Sequence, residues 1–496
     1  MKRRTFLGLS SAATAAALAG CGTSNKTTTS SDLSTLIVMA PVLDVQAPSK
    51  DGLLQKAIQE YAGRTLDITW VPNANYTDRL TVTLAGNQLP HLMVVTSKSP
   101  TFVRSALAGA FWDLTDTLKA YPNLVAANPD ITKNASVNGK SFGVFRLRDP
   151  MRTSVTYRND WLTKLGLQLP KTTDDLYEVA KAFKSLSGGA IIIPKFNGYG
   201  NGSPFDIIET WFGAPNGWGE RGGKLVPSFD TDEYLEADRW IKKLVDEKLI
   251  NADFATMDPT KWNDPFVQGK GGIILDTFSR TTQIYGLFKA LDATDYGRSV
   301  DFTGNLAGRH GMHSYPTIGY NGFIAVSKQS VKTAADLDTV LKFLDTMSAK
   351  KGQVLENNGI EGTSFTVDGS YAVFTKSSDA DVVNNDVKSF AQLGTNPNGN
   401  LYYVTKPANA TEQAVYERRL KTQEGDMTSA VQNPANALVS DTYMSKGAQL
   451  DQIIGDARLK YFAGQFTQDQ YTAEIKRWHT EVGDQVIKEM NELYVK

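Results

Sequence analysis

Short apolar runs alternate with helical patterns over the first part of the chain. Leu36-Ile37-Val38-Met39 is a continuous apolar run closed by Pro41, which is typical of a buried strand. Further helices and strands are predicted, in chain order, at 51–62, 66–71, 76–86 and 92–95. Strands that are separated by helices indicate βαβ units and a parallel sheet.

The same alternation resumes beyond residue 150. Thr172, with Asp175 three positions later, is a capping-box signal for the start of a helix. Two α/β lobes are therefore predicted, and two facing lobes enclose a cleft at the carboxyl ends of their strands. The elements predicted for this part are strands at 153–157, 190–193, 271–276 and 322–326, and helices at 172–186, 231–248, 333–349 and over most of 408–493.

The N-terminus has the pattern of an export signal. Lys2, Arg3 and Arg4 precede an apolar stretch over 6–19 that is too short to span a bilayer stably. Leu18-Ala19-Gly20-Cys21 resembles the lipobox of bacterial lipoproteins, in which the cysteine is acylated. We therefore predict a signal peptide at 1–20 and a lipid-bearing Cys21 at the head of a polar tether over 21–35. Arg3-Arg4-Thr5-Phe6-Leu7 also resembles a twin-arginine signal, and general secretory export remains the alternative.

Charge and cysteine content narrow the class of protein. The chain has 52 Lys+Arg and 53 Asp+Glu, and it lacks a basic block suited to nucleic acid. Its one cysteine lies at the predicted cleavage point, so the mature chain would carry no disulfide, thiolate metal site or thiol nucleophile. No apolar run after Cys21 is long enough to span a bilayer, so the lipid is the only membrane attachment expected.

Several motifs are informative as a set. They are Tyr157-Arg158-Asn159-Asp160-Trp161-Leu162, Leu165-Gly166-Leu167, Pro170-Lys171-Thr172-Thr173-Asp174-Asp175-Leu176, Ile318-Gly319-Tyr320-Asn321-Gly322-Phe323 and Gly359-Ile360-Glu361-Gly362. Together they resemble the extracellular sugar-binding lipoproteins of ABC importers, whose architecture is that of maltose-binding proteins. The length of the chain is closer to the large oligosaccharide-binding members of this class, such as the alginate-oligosaccharide binders.

The resemblance implies an α/β, two-lobed periplasmic-binding-protein class II fold with hinge crossings and a ligand cleft between the lobes. The N-terminal lobe would hold 36–148 and 322–405, and the C-terminal lobe 149–318 and 406–496. It also implies a monomeric receptor that captures a sugar or oligosaccharide and delivers it to the transmembrane subunits of an ABC permease. A ligand that touches both walls would favour the closed form.

Aromatic faces and hydroxyl-pairing side chains are what a sugar site needs. Residues 196–218 supply both after the strand predicted at 190–193, and the family carries a cleft aromatic in this stretch. The alternative is that Phe205 and Trp211 line the core side of a short helix. The ligand contacts predicted here are Tyr199, Phe205, Trp211 and Trp218.

Asp276 and Phe278 follow another predicted strand. The family often places a ligand aromatic here, but Ser279 occupies the aligned position, so Phe278 beside it becomes the candidate. Asp276 is predicted as a polar contact, with capping of the next helix as the alternative.

Other candidates lie in the first lobe and at the two crossings. Asp44, Gln46 and Tyr76 follow the first two strands, where solvated turns and helix caps are the alternative. Arg146, Arg148 and Arg152 cluster near the first crossing. A guanidinium there could hold two hydroxyls or the carboxylate of a uronate, and we select Arg148, with a solvated surface cluster as the alternative. Tyr315 and Asn321 flank the second crossing.

The sequence gives little support to catalysis. His310 and His313 are three residues apart, but they lie in a Gly-rich loop without an acidic partner pattern, so we predict no metal, no cofactor and no catalytic residue. Two alternatives to a sugar receptor remain open. They are a receptor for a peptide or another solute, and a surface-anchored enzyme that acts on glycans.

Overall fold

The computed structural model describes residues 33–43, 46–86, 88–196, 199–200 and 202–494. Cys21, the leader and most of the predicted tether lie outside these residues, as does Asp44. A five-stranded sheet occupies the first part of the chain, and its strand Thr35–Val42 runs parallel to Thr65–Pro72 and Leu92–Val95. The parallel sheet predicted over residues 36–95 is thus confirmed.

Two antiparallel strands complete this first sheet. Tyr320–Val326 pairs with Leu92–Val95 on one side and with Val144–Leu147 on the other. Helices from residues 33–145 and 320–390 cover this sheet and contribute to its core. They are Leu53–Ala62, Asn73–Ala85, Pro100–Leu107, Pro129–Ala135, Ala334–Ser348, Lys350–Asn357 and Ser378–Phe390. A small sheet of Phe365–Asp368, Tyr371–Phe374 and Val404–Thr405 lies beside them.

The second sheet differs from the prediction. Its strands are Ile273–Thr277, Thr153–Arg158 and Val300–Thr303, and both pairings are antiparallel. Residues 190–193, predicted as a strand, form only isolated parallel bridges from Ile191 to Ile250 and Ile273. The backbone ladder does not continue along this extended segment, because the Ile193 amide donates to the side-chain Oδ1 of Asn251 at 2.7 Å and Pro194, which follows, has no amide proton to donate.

Helices surround the second sheet and fill the C-terminal part of the chain. Thr172 and Asp175 form the predicted capping box, and Ser203 with Asp206 forms another at the start of Pro204–Trp211. The larger helices of this part are Asn159–Leu165, Thr173–Ser187, Pro204–Trp211, Asp232–Asp246, Phe278–Leu291, Ala410–Met427, Asp441–Phe462, Gln468–Trp478 and Asp484–Tyr494.

Two large hydrophobic cores result. The first is built from residues 33–145 and 320–390, and the second from residues 155–306 and 435–490. A smaller core around Ile274 and Phe288 lies beneath the helix Phe278–Leu291. Val439 and Met444 pack against the first core, although both lie in the segment 406–496 that is predicted to belong to the C-terminal lobe. The exact lobe boundaries therefore remain predictions.

The chain crosses between the cores along adjacent segments. The Arg148 amide donates to the Gly319 carbonyl at 2.9 Å, and the Thr317 amide donates to the Pro150 carbonyl at 2.8 Å. The second crossing also pairs with the C-terminal segment, since the Val431 amide donates to the Ser314 carbonyl at 3.0 Å. These backbone contacts make one hinge from three parts of the sequence. Among the described residues, no helix has both the length and the apolar character needed to cross a membrane.

Candidate functional site

Two polar cavities meet where the crossings reach the carboxyl edge of the first sheet. The arginine cavity has a volume of about 360 Å³, and the lysine cavity beside it about 320 Å³. Arg148 and Asn321 line both. Because Leu92–Val95 and Val144–Leu147 both end at this edge, topology alone brings their following residues together.

The arginine cavity is rich in charged and amide side chains. Its charged lining residues are Arg146, Arg148, Asp149, Arg152, Glu356 and Arg419. Its amides are Asn321, Gln353, Asn357, Gln392, Asn396 and Asn400, and Tyr402 adds an aromatic ring. These side chains can form hydrogen bonds with the hydroxyl and carboxylate oxygens of a ligand, and they offer little surface to an apolar one.

Arg146 is fixed by the surrounding protein. It is only 7% exposed, and its Nε donates to the Asn321 carbonyl at 2.8 Å while its Nη1 donates to Gln392 Oε1 at 2.7 Å. Burial, together with the positive charge of Arg148, lowers the pKa of Arg146 to about 10. Arg146 therefore holds the 392 and 321 segments together beneath the cavity.

Arg148 is less constrained. Within the described part of the chain, its guanidinium forms no hydrogen bond or ion pair, although its backbone amide belongs to the hinge. Burial and the charge of Arg152 lower the pKa of Arg148 to about 10. Arg152 itself donates from Nη2 to Ser279 Oγ at 2.9 Å. The positively charged side chains of Arg148 and Arg152 therefore line the cavity from both sides of the first crossing.

Lys98 organises the second cavity. Its Nζ donates to the carbonyls of Asn134 at 2.7 Å and Ser136 at 2.9 Å, and also to the carbonyl of Asn436. Burial lowers the pKa of this amine to about 8. The lysine joins the edge of the first sheet to the C-terminal segment, and its three donor positions are used by backbone oxygens.

Asp276 lies in the strand Ile273–Thr277 of the second sheet and is not among the residues lining the arginine or lysine cavity. Its Oδ2 accepts from Arg280 Nε at 2.8 Å, and the Arg280 guanidinium carbon lies 4.5 Å from the centre of the Trp262 ring. Burial raises the pKa of Asp276, and the positive charges of Arg280 and Arg152 oppose this rise. Asp276 caps no helix by its side chain, because Thr277 is the N-cap residue and lacks a side-chain cap bond.

Four predicted ligand contacts are corrected, because their rings are buried in the cores. Tyr76 donates from its hydroxyl to the carbonyls of Val94 at 2.7 Å and Met39 at 3.1 Å. Phe205 and Trp211 lie on the core side of their helix, and Trp211 Nε1 donates to Asn305 Oδ1 at 2.9 Å. Phe278 packs edge-on against Phe302. None of these rings offers a face to a ligand, so the core alternative holds for Phe205 and Trp211.

Other predicted ligand contacts differ in whether they line the two cavities. Arg148 and Asn321 line both cavities. Tyr199, Trp218 and Tyr315 are partly buried against the second core, and they are not among the residues lining either cavity. Burial also raises the pKa of Tyr315.

Gln46 is exposed, and it lines neither cavity. Asp44 and Cys21 lie outside the described residues. Ligand contact by Gln46, Tyr199, Trp218 and Tyr315 stays a prediction.

The sequence interpretation missed the segment that forms one wall of the arginine cavity. Gln392, Asn396, Asn400 and Tyr402 all come from residues 391–402, and Asn396 Oδ1 accepts from the Leu147 amide at 2.7 Å. The run Gly394-Thr395-Asn396-Pro397-Asn398-Gly399-Asn400 was a usable signal, since amide-rich turns next to aromatic residues suit sugar hydroxyls. Arg419, on the helix Ala410–Met427, gave no comparable local signal.

Two cores joined by hinge crossings, with polar cavities at their junction, define a two-lobed solute-binding protein. The chain belongs to the family of bacterial extracellular solute-binding proteins, which matches residues 47–354. Lipoprotein LipO of Bacillus subtilis strain 168 is 40% identical over 489 residues, covering 96% of both chains. The polygalacturonan/rhamnogalacturonan-binding protein YtcQ of the same strain is 32% identical over 461 residues, covering 91% of this chain and 90% of the relative.

A solved structure supports the fold assignment. The solute-binding protein associated with an HMO-binding ABC transporter of Bifidobacterium longum infantis ATCC 15697 aligns with a TM-score of 0.71. The alignment covers 93% of this chain and 98% of that chain, at 18% sequence identity. At this identity the likeness establishes the two-lobed α/β architecture that the sequence predicted.

Proposed function

We propose that this protein is the receptor subunit of a carbohydrate ABC importer, and that it binds its ligand without altering it chemically. The observation that carries the proposal is the arginine cavity, which lies beside the hinge and combines many amide, guanidinium and carboxyl groups with one tyrosine. Oligosaccharides present dense hydroxyl rims that need such donors and acceptors. The names of the relatives YtcQ and LipO agree with a sugar-binding lipoprotein.

Capture would follow from the hinge geometry. In the proposed assignment, residues 36–148 and 322–405 form one wall, and residues 149–318 and 406–496 form the other. Arg148 and Gln392 belong to the first wall, whereas Asp149, Arg152 and Arg419 belong to the second. A ligand that contacts both walls stabilises the closed form by the difference between its contacts in the two forms. An ABC permease would then recognise the closed, monomeric receptor.

The binding proposal is tested on residues 22–496, which include every described residue. Thermal unfolding would be followed with neutral oligosaccharides, acidic oligosaccharides and peptide mixtures, and hits would be measured by calorimetry. A saccharide should raise the melting temperature by mass action and be recovered intact by chromatography. Stabilisation by peptides alone, or cleavage of the saccharide, would contradict the proposal.

We further propose that Cys21 carries the membrane anchor. Acyl chains on this residue would hold the receptor near its permease and raise the effective concentration of the pair. Cells that express the wild-type chain should retain it in the membrane fraction, and Cys21→Ala should remove both the label from a radioactive fatty acid and the membrane retention. Fatty-acid labelling that persists in Cys21→Ala would argue against this anchor.

A further inference from the structure

The arginine cavity has an excess of positive charge. Four guanidinium groups line it, against the two carboxyl groups of Asp149 and Glu356. Burial raises the pKa of Glu356 well above its usual range, although Arg146 opposes this shift, so this residue is a weak counter-ion. Asp149 is partly occupied by protein donors, since its Oδ1 accepts from the Met151 amide at 3.0 Å and its Oδ2 from Gln423 Nε2.

The donors of the cavity are also incompletely used. The Arg148 guanidinium has no hydrogen-bond partner among the described residues, and the buried Nε of Arg419 has none either. A guanidinium only donates hydrogen bonds, whereas a sugar hydroxyl both donates and accepts. A carboxylate only accepts and matches the planar pair of N–H groups of an arginine. The unused donors therefore fit an anionic group better than a neutral ring.

A second, larger cavity borders the arginine cavity at Arg419. Arg419 also lines a neighbouring cavity of about 580 Å³, together with Tyr285, Tyr296, Tyr416 and Lys289. Tyr416 is partly exposed, and its ring centre lies 5.4 Å from the Arg419 guanidinium carbon, so its face can pack against a further sugar ring.

We propose that the ligand is an acidic oligosaccharide, and that Arg148 and Arg419 bind the carboxylate of a uronate unit in the arginine cavity. The inference rests on the proposed function and specifies its ligand class. Arg152, already bonded to Ser279, adds positive charge from the other side of the crossing. A uronate carboxylate would offset the mutual repulsion of the Arg148 and Arg152 guanidinium groups.

The test compares two ligands of almost equal size. Trigalacturonate and its fully methyl-esterified form would be titrated by calorimetry into residues 22–496. The acid should bind about 10- to 100-fold more tightly than the ester, because only the acid forms charge-assisted hydrogen bonds. Its affinity should also fall as sodium chloride is raised, whereas that of the ester should change little.

Variants locate the effect in the cavity. Arg148→Gln should weaken binding of the acid by about tenfold or more and leave that of the ester within about twofold, while Arg148→Lys should lie between Arg148→Gln and wild type. The matched control is Arg298→Gln, because the Arg298 side chain is 86% exposed and does not line the cavity. Thermal unfolding of each variant without ligand would verify folding.

The outcomes separate the inference from the function on which it rests. Equal affinities for acid and ester, or tighter binding of a neutral oligosaccharide, would overturn the acidic-ligand inference and leave the sugar receptor intact. An equal loss for acid and ester in Arg148→Gln would overturn the carboxylate role of this residue. Binding of triglutamate with no binding of any saccharide would overturn both the inference and the proposed function.

Discussion

At the scale of single residues, a buried charge cluster holds the helix Pro204–Trp211 in place. Arg458 is 2% exposed, and its Nη1 donates to Asp206 Oδ1 and Glu209 Oε1 at 2.8 Å each. Burial raises the pKa of Glu209 well above its usual range, while Arg458 opposes the shift. Both carboxyl groups are removed from solvent and share Arg458 as their cationic partner.

Arg458→Met should therefore lower the free energy of unfolding by about 3–5 kcal/mol, because two buried acids lose their partner. Urea unfolding followed by circular dichroism measures the loss. Arg477→Met is the matched control, since Arg477 is 52% exposed in its pairs with Glu474 and Glu481 and should cost no more than about 1 kcal/mol. Similar losses in the two variants would show that burial adds nothing to the Arg458 contacts.

The same cluster explains which site residues the sequence could predict. A short helix with Phe205, Trp211, Asp206 and Glu209 reads equally well as a sugar-binding surface or as a core element. The choice depends on Arg458, which lies about 250 positions away along the chain and has no local signature. Arg148 was predictable as a cavity residue for the opposite reason, since its place follows from the crossing itself.

At the scale of elements, a histidine joins two C-terminal helices to the rest of the second core. His479 follows Gln468–Trp478, and its Nδ1 and Nε2 lie 2.7 Å from Asp484 Oδ1 and 3.0 Å from Asp230 Oδ1. Burial disfavours the charged ring, but the hydrogen bonds and charges of the two aspartates prevail and raise the pKa of His479.

A raised histidine pKa gives stability that is fully present below the unfolded-state pKa of about 6.5 and is lost as the pH rises through the higher folded-state pKa. His479→Gln should thus be less stable than wild type by about 1 kcal/mol at pH 5.5, and the difference should shrink as the pH approaches 9. Chemical unfolding at both pH values measures this. His310→Gln, with a side chain 51% exposed, is the control and should change stability little at either pH. A constant deficit across the range would refute the charge-based explanation.

Strands were predictable where their signal was local. The apolar runs at 36–39, 66–71 and 92–95 correspond to Thr35–Val42, Thr65–Pro72 and Leu92–Val95. Val144–Leu147 was missed, because it is four residues long and contains Arg146, and its strand pairing is supplied by the distant Tyr320–Val326. The antiparallel second sheet was missed for a related reason, since pairing direction depends on contacts between remote segments.

At the scale of the whole molecule, three hinge segments connect two separate hydrophobic cores. Neither large core shares a buried residue with the other, and backbone hydrogen bonds between Arg148 and Gly319 and between Thr317 and Pro150 bind the crossings together. Hinges of this kind absorb a rotation in a few residues and leave the lobes rigid. The sequence predicted this architecture by alternation and by resemblance, but local patterns carry no information on the angle between the lobes.

The hinge leads to a prediction about shape. A saturating saccharide that contacts both walls should reduce the radius of gyration measured by small-angle X-ray scattering, because it can shift the population only towards the form in which it makes more contacts. Arg148→Gln at the same concentration of an acidic ligand should contract less, and should recover the wild-type contraction once the ligand is raised to saturation. A saccharide that raises the melting temperature should not increase the radius of gyration. If it binds tightly while the scattering curve stays unchanged, the ligand site lies on one lobe alone and the closure mechanism fails.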